Sequence, residues 1–415
     1  MSGSVDETLR AAFREEWGRV VAAVIARTGD WQLAEDCAQD AFTAAAARWP
    51  VDGVPTSPGG WLTTVARNRA IDRRRRAATE QGALRDLLPQ APADTAEPDE
   101  VTDERLRLIF ACCHPALPMP ARVALTLRTL CGLEIAEIAY AFGVEEAAMA
   151  KRLVRARQRI AHAGIPFQVP AGTVLTARLD GVLAVLYLLF TEGYSPTTGE
   201  QVVRVDLSDE AIRLTETLAE LMPDQPDVRA LLALELLHDA RRGARTDADG
   251  RLVPLSEQDR GKWDRDQIAR GRAELARALR GGADGRYALQ ARIALLHDGS
   301  NSADDVDWHS IARLYDRLVL EDASPQAQLA RAVAVAAADG PERGLALIAE
   351  LRAQGPPAGE HLLPATEAEL LMRAGRRSEA ADAYRRALAL VRTAPEEARL
   401  RERLSEAEAA GPPSG

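Results

Sequence analysis

Aromatic side chains are scarce in this chain. Phe, Tyr and Trp make up 4% of its 415 residues, too few to build cores mainly from rings, so burial falls largely to Ala and Leu. Cysteine is scarcer still. Four residues without regular spacing argue against a disulfide framework and for a reducing cytoplasm. The opening residues, Met1 to Asp6, hold no basic stretch followed by an apolar one, so no secretory signal is read there. Nor is there an apolar run near the ~20 residues that a bilayer span needs. The longest, Gly181 to Phe190, closely follows Arg178 and Asp180 and reads as a buried helix. Alternating β-branched runs are rare, no Gly-rich phosphate loop occurs, and the scattered His residues lack paired nucleophiles. The chain therefore reads as neither strand-built nor enzymatic, and no cofactor or membrane partner is expected.

What is present is helical. Apolar residues recur at spacings of three and four nearly everywhere, which predicts an all-α fold, and 47% hydrophobic with 27% charged residues suits two or three packed domains. The formal net charge of -10 opposes nucleic-acid binding only if it is evenly spread. It is not. Up to Ile165 there are 21 basic against 22 acidic residues, leaving 31 against 40 for the remainder. Within the first part, Arg67 to Arg76 holds six Arg against Asp72, and Lys151 to Arg159 holds five basic residues and no acid. These two helices, Trp61 to Arg76 and the one carrying Lys151, read as two DNA contacts.

Proline and glycine mark the boundaries. Gln90 to Glu100, with Pro92, Pro98 and clustered acids, has no amphipathic period and reads as a flexible linker. At Gly164 to Gly172, Pro166 and Pro170 stop the second basic helix. The expected organisation is a small helical domain at 1–80, a linker at 81–103, a second small domain at 104–165 and a larger helical domain at 171–415. In the last, Gly375, Ala380, Tyr384 and Ala387 have the spacing of a tetratricopeptide hairpin, where Ala lets helices approach and Tyr fills the gap. Gly340, Leu345 and Ala346 lie about one period earlier, and Ala312 with Tyr315 would be a degraded copy. An irregular bundle packed on Ala is the alternative.

Ile135, Ile138, Ala139 and Phe142 share one apolar face, Gly143 permits a tight turn, and Val144, Met149 and Leu153 face back. That is helix-turn-helix spacing. The second helix would enter the major groove with Ala150, Lys151, Arg152 and Arg155 near bases or phosphates, and Arg157 and Arg159 on the backbone. A solvated basic helix would carry the same charges. Cys112, Cys113, His114 and Cys131 lie close in sequence, but adjacent Cys point in different directions and no C-x-x-C follows, which favours small buried side chains over zinc or thiol sensing.

Two stretches carry a family resemblance. Ala34 to Phe42 and Gly60 to Arg74 resemble regions 2.2 to 2.4 of a sigma-70-family factor of bacterial RNA polymerase, and Leu117 to Ile160 resembles its domain 4. The pair in this order is most similar to the extracytoplasmic-function (ECF) group. Phe110 to Pro115 and the tail with Leu186 to Tyr194 are similar to a subgroup bearing a C-terminal tetratricopeptide-like extension. The resemblance implies a cytoplasmic factor that takes RNA polymerase core to promoters, its partners being the β′ coiled coil, the β flap and promoter DNA. It places polymerase docking on an acidic exposed face of Glu35, Asp36, Gln39 and Asp40. It places −10 element recognition on Trp61, Arg67, Asn68, Arg69, Asp72, Arg73, Arg74, Arg75 and Arg76, with Asn68 near the extruded base and Arg side chains on phosphates. The loop Pro50 to Gly60 would receive that base, and Trp61 either stacks on it or packs in the core. Contact with the −35 element falls to Ala148, Ala150, Lys151, Arg152, Arg155 and Arg157. Here the chain departs from the family: Ala148, Met149 and Ala150 replace the usual hydroxyl, β-branched and Lys residues, and Glu145 and Glu146 would repel nearby phosphates. The tail would regulate or support activity, with a protein effector as its candidate partner. The competing reading is a helix-turn-helix regulator with a protein-interaction domain and no sigma activity.

Overall fold

The computed structural model describes residues 2–81, 104–142, 144–194, 205–247, 251, 253–300, 302, 305–353, 361–391 and 394–409. Among them the chain forms α-helices and short 3₁₀ turns with no strand. The expected linker lies outside the described residues beyond position 81, as does Gly143. Two compact units are formed, one ending at Leu188 and the other beginning at Leu189.

The first unit opens with α1 (Ser2–Thr28), α2 (Trp31–Asp52) and α3 (Pro58–Gln81). Asp30 caps α2 by accepting from the Leu33 amide at 3.0 Å, which satisfies one of the donors left free at a helix start. Trp17, Val20 and Val24 of α1, Ala38, Phe42 and Trp49 of α2, and Leu62 and Ala66 of α3 are buried. Phe13, Trp17 and Phe42 meet with ring centroids 5.0 to 5.9 Å apart. The loop expected from Pro50 to Gly60 is shorter than its Pro and Gly content suggested. Helix α2 runs on through Pro50, whose missing N–H costs only one bond in the last turn, and Pro58 opens α3, where its fixed φ suits a first turn.

Next come α4 (Glu104–Cys112), α5 (Met119–Thr129), α6 (Ile135–Ala141) and α7 (Glu146–His162). Glu134 and Glu137 form a capping box at the start of α6. Ile138, Ala139, Met149 and Leu153 are buried between α6 and α7, and the Val144 amide closes the turn on the Ala139 carbonyl at 3.0 Å. These helices do not stand apart from the first three: α4 packs on α1, and a Cβ added to Gly18 would lie 2.9 Å from the Leu130 carbonyl oxygen. Only glycine admits so close a crossing.

Helix α8 (Gly172–Tyr194) is longer than its apolar run and is, by length and composition, a helix that could cross a membrane. Core packing accounts for its apolarity. Leu179, Val182, Leu183, Leu186, Leu189 and Phe190 are buried, and Arg178 donates to the Phe110 carbonyl at 2.7 Å.

In the second unit, α9 (Val205–Leu221), α10 (Pro226–Asp239), α11 (Arg265–Arg280), α12 (Arg286–Asp298), α13 (Trp308–Glu321), α14 (Pro325–Asp339), α15 (Pro341–Ala353), α16 (Leu362–Arg373), α17 (Arg377–Leu388) and α18 (Ala394–Ala409) pack mainly against their neighbours in sequence. Such nearest-neighbour packing is how tetratricopeptide-like arrays distribute their core. Gly340 and Gly375, 35 residues apart, both take positive φ at hairpin turns, +97° and +75°, a conformation that favours glycine. Ala380, Tyr384 and Ala387 are fully buried. The Tyr384 hydroxyl donates to Glu369 Oε1 at 2.7 Å, and Arg403 of α18 grips the same carboxylate through Nε and Nη2, each at 2.8 Å. Replacing a fully buried Ala here overfills the seam between α16 and α17. Ala380→Leu is expected to destabilise the hairpin by about 1–3 kcal/mol, seen as faster amide hydrogen exchange in α16 and α17; unchanged exchange would contradict the close approach.

Candidate nucleic-acid interface

Helix α2 organises the charged groups of the first unit. Of the four residues expected on its exposed polymerase-docking face, Gln39 is exposed and Asp36 and Asp40 are half-exposed, but Glu35 is buried at 1% exposure. The expectation of exposure fails at Glu35 because this residue sits in the core stripe of α2, spaced with Trp31, Ala38 and Phe42. A carboxylate so placed needs charged partners, and α5 and α7 supply them. Arg128 Nε donates to Glu35 Oε2 at 3.0 Å, Arg157 Nη2 to Oε1 at 2.6 Å, and the Thr129 hydroxyl to Oε1 at 3.2 Å. Arg157 also donates to Gln32 Oε1 at 2.7 Å, and Arg128 reaches the Leu133 carbonyl and Glu134 at the start of α6.

The solvent side of α2 faces α3. Arg73 donates to Asp40 Oδ2 at 2.7 Å and lies 3.5 Å from Asp36. Thus Arg73, expected on DNA, is held by two carboxylates expected on the polymerase. The rest of α3 divides by its period. Asn68, Arg69, Asp72, Arg74, Arg75 and Arg76 are exposed, whereas Arg67 is half-buried and 3.6 Å from Glu104. Trp61 is half-buried with its ring edge-on to Trp49 at 5.8 Å, so one part packs and another faces outward.

On α7, Ala148, Lys151, Arg155 and Arg159 are exposed, and Ala150, Arg152 and Arg157 are half-buried. Arg152 lies 5.8 Å from the Phe142 ring centroid, a cation–π contact that orients it along the turn. Glu145 and Glu146 are exposed beside the start of the helix, where they favour its dipole. Arg157 departs most from its expected place: it points toward α2. Arg128, Thr129 and Gln32 entered no sequence-based site. The visible clue was one acid on the apolar stripe of α2, which requires basic partners somewhere in the fold.

All four cysteines are buried thiols. Burial pushes the Cys113 thiol up to about 12 and that of Cys112 well above its ordinary value, so both stay protonated at neutral pH. Among the described residues, no group of three or more His, Cys, Asp and Glu side chains is placed to hold a metal ion.

Residues 13–80 match the Sigma-70 region 2 family and residues 107–160 the Sigma-70 region 4 family. Residues 178–279 match a family of unknown function, DUF6596. The chain is 40% identical over 384 residues to the uncharacterized protein R00370 of Rhizobium meliloti, covering 90% of this chain and 89% of that one. It is 31% identical over 165 residues to the probable RNA polymerase sigma factor RfaY of Xanthomonas campestris, covering 36% of this chain and 40% of RfaY. It is 30% identical over 146 residues to the ECF RNA polymerase sigma factor SigL of Mycobacterium tuberculosis, covering 35% of this chain and 82% of SigL. With both sigma regions present in order and most of SigL matched, the chain belongs to the ECF sigma factors of RNA polymerase.

Proposed function

We propose that this protein directs RNA polymerase core to particular promoters and starts transcription there, the polymerase supplying all chemistry, while the C-terminal helical domain regulates or supports it. The observation that carries this reading is the presence, on two separate helices of one unit, of exposed cations: Arg69, Arg74 and Arg76 on α3, and Lys151, Arg155 and Arg159 on α7. Such groups bind phosphates by releasing counterions. Asn68, exposed on the same turn as Arg69, offers both a donor and an acceptor to a base edge. Trp61 stands ready as a stacking neighbour for a base displaced from the duplex. In this reading, boundaries near 80 and near 104–165 separate −10 recognition from −35 recognition, and the second unit offers its hairpin surface to a protein effector.

The geometry of α2 adds a coupling. Asp36 and Asp40 cannot serve the polymerase and Arg73 at once, so docking of the β′ coiled coil on this face releases a cation toward DNA. If α7 is to track the major groove with all its cations, Arg157 must leave Glu35, and the region 4 helices must part from α2. Polymerase and promoter thus favour the same rearranged state, and each strengthens binding of the other by an equal factor.

Purified protein added to core polymerase should permit starts at promoters that core alone ignores; duplex binding without such starts would instead support the regulator reading. Asn68→Ala should depress promoter opening, read by permanganate reactivity of unpaired thymines, more than polymerase binding. Asp36→Asn with Asp40→Asn should do the reverse, and equal losses in both variants would contradict the assigned roles. Glu35→Ala leaves Arg128 and Arg157 without their shared buried partner. It should destabilise the first unit by about 3–5 kcal/mol in urea unfolding; wild-type stability would remove Glu35 as the junction.

A further inference from the structure

The second unit contains a cavity that sigma activity leaves unused. Its volume is about 390 Å³, within the size range of small-molecule sites. The end of α8 contributes Tyr194, α10 contributes His238, and Arg241 and Arg245 follow α10. The opposite wall is formed by α12 with Ile293 and His297, and by Tyr315 of α13. Val253, Pro254 and Leu255 close one side with apolar surface.

Charge distinguishes this cavity. Among the described residues no Asp or Glu lines it, although two Arg do, in a part of the chain that is otherwise acidic. Arg245 lies over the Tyr194 ring, 3.8 Å from its centroid, and its buried Nε has no hydrogen-bond partner among the described residues. No carboxylate neutralises it among the described residues. Arg241 is 3% exposed, and its ion-pair partner is Asp298, 3.5 Å from Nε. Even there, neither that Nε nor either Asp298 oxygen makes a hydrogen bond. Burial and the neighbouring Arg push His297 down to about 4 and His238 well below its ordinary value, so both rings are neutral at pH 7. With both imidazoles neutral and Arg241 set against Asp298, Arg245 supplies the uncompensated positive charge of the cavity.

A half-buried, unpaired cation is costly, and an anion arriving in the cavity would relieve that cost through charge-assisted hydrogen bonds. His238 meets the Tyr194 ring edge to face at 5.4 Å, and Ile293, Ala294 and Tyr315 line the cavity as well. They offer apolar and π surface to the rest of such a ligand. Contiguous large hydrophobic walls without charge would suit a neutral ligand. Here the planar groups and the two guanidiniums converge.

We infer that this cavity is a receptor site for a small organic anion, a carboxylate or phosphate ester carried on a planar or apolar body, with Arg245 as the principal anion-binding residue. This assignment does not rest on sigma activity. Binding alone tests it, by isothermal titration of the full-length protein with benzoate, phenyl phosphate, inorganic phosphate and benzyl alcohol. At least one of the first two should bind with one-to-one stoichiometry, and whichever binds more tightly identifies the anionic group. That probe should exceed inorganic phosphate and benzyl alcohol about tenfold or more, since both halves are needed. Arg245→Gln should weaken the preferred probe about tenfold or more, and Arg245→Lys, which keeps charge without the planar fork, should fall between. Circular dichroism and the unfolding midpoint establish that each variant is folded. Absence of binding by both aromatic anions overturns the site, as does benzyl alcohol binding equally well, or an Arg245→Gln chain that is folded and binds as the wild type does.

Discussion

A single buried carboxylate, Glu35, holds the first unit in its observed form. It lies at the meeting of α2, α5 and α7, where Arg128, Arg157 and Thr129 converge on its two oxygens. Buried ion pairs seldom add net stability relative to apolar packing, because desolvation offsets the attraction, yet losing one partner is expensive. The junction therefore specifies more than it strengthens. It fixes which face of region 4 meets region 2 and keeps a basic side chain away from solvent, while Gly18 permits the close crossing beside Leu130.

The same helix manages charge on its outer side. Asp36 and Asp40 hold Arg73 at partly exposed positions, where an ion pair is worth little and exchanges readily. A buried clasp and an exposed one thus share α2. The exposed one yields to a competing surface more readily than the buried one. Two basic side chains, Arg73 and Arg157, are thereby held by carboxylates of α2, while Arg69, Arg74, Arg76, Lys151, Arg155 and Arg159 stay exposed.

Much of this could be read along the chain. The three-and-four periodicity gave helices, Ile138, Ala139, Met149 and Leu153 gave the helix-turn-helix core, and Ala380, Tyr384 and Ala387 marked a hairpin seam, because each signal is local and steric. The basic runs on α3 and α7 were equally plain. What escaped was long-range pairing. Glu35 was grouped with Asp36 as an exposed acid although its spacing with Trp31, Ala38 and Phe42 places it inward. Nothing near Arg157 in sequence reveals that its partner lies 122 positions earlier. The extent of α2 past Pro50 was hidden for another reason, since Pro disrupts a last turn far less than a helix interior. The cavity of the second unit draws Tyr194, Arg245 and Tyr315 from well-separated stretches of the chain, an assembly no short motif encodes.

The most direct observation is the separation of α3 and α7 with and without polymerase. Spin labels on Arg69→Cys and Arg155→Cys, with the native thiols buried, report that distance by pulsed electron resonance. One narrow distance should be found for the free protein, lengthening when core polymerase is added. A distance unchanged by core polymerase would contradict the exchange of partners at α2.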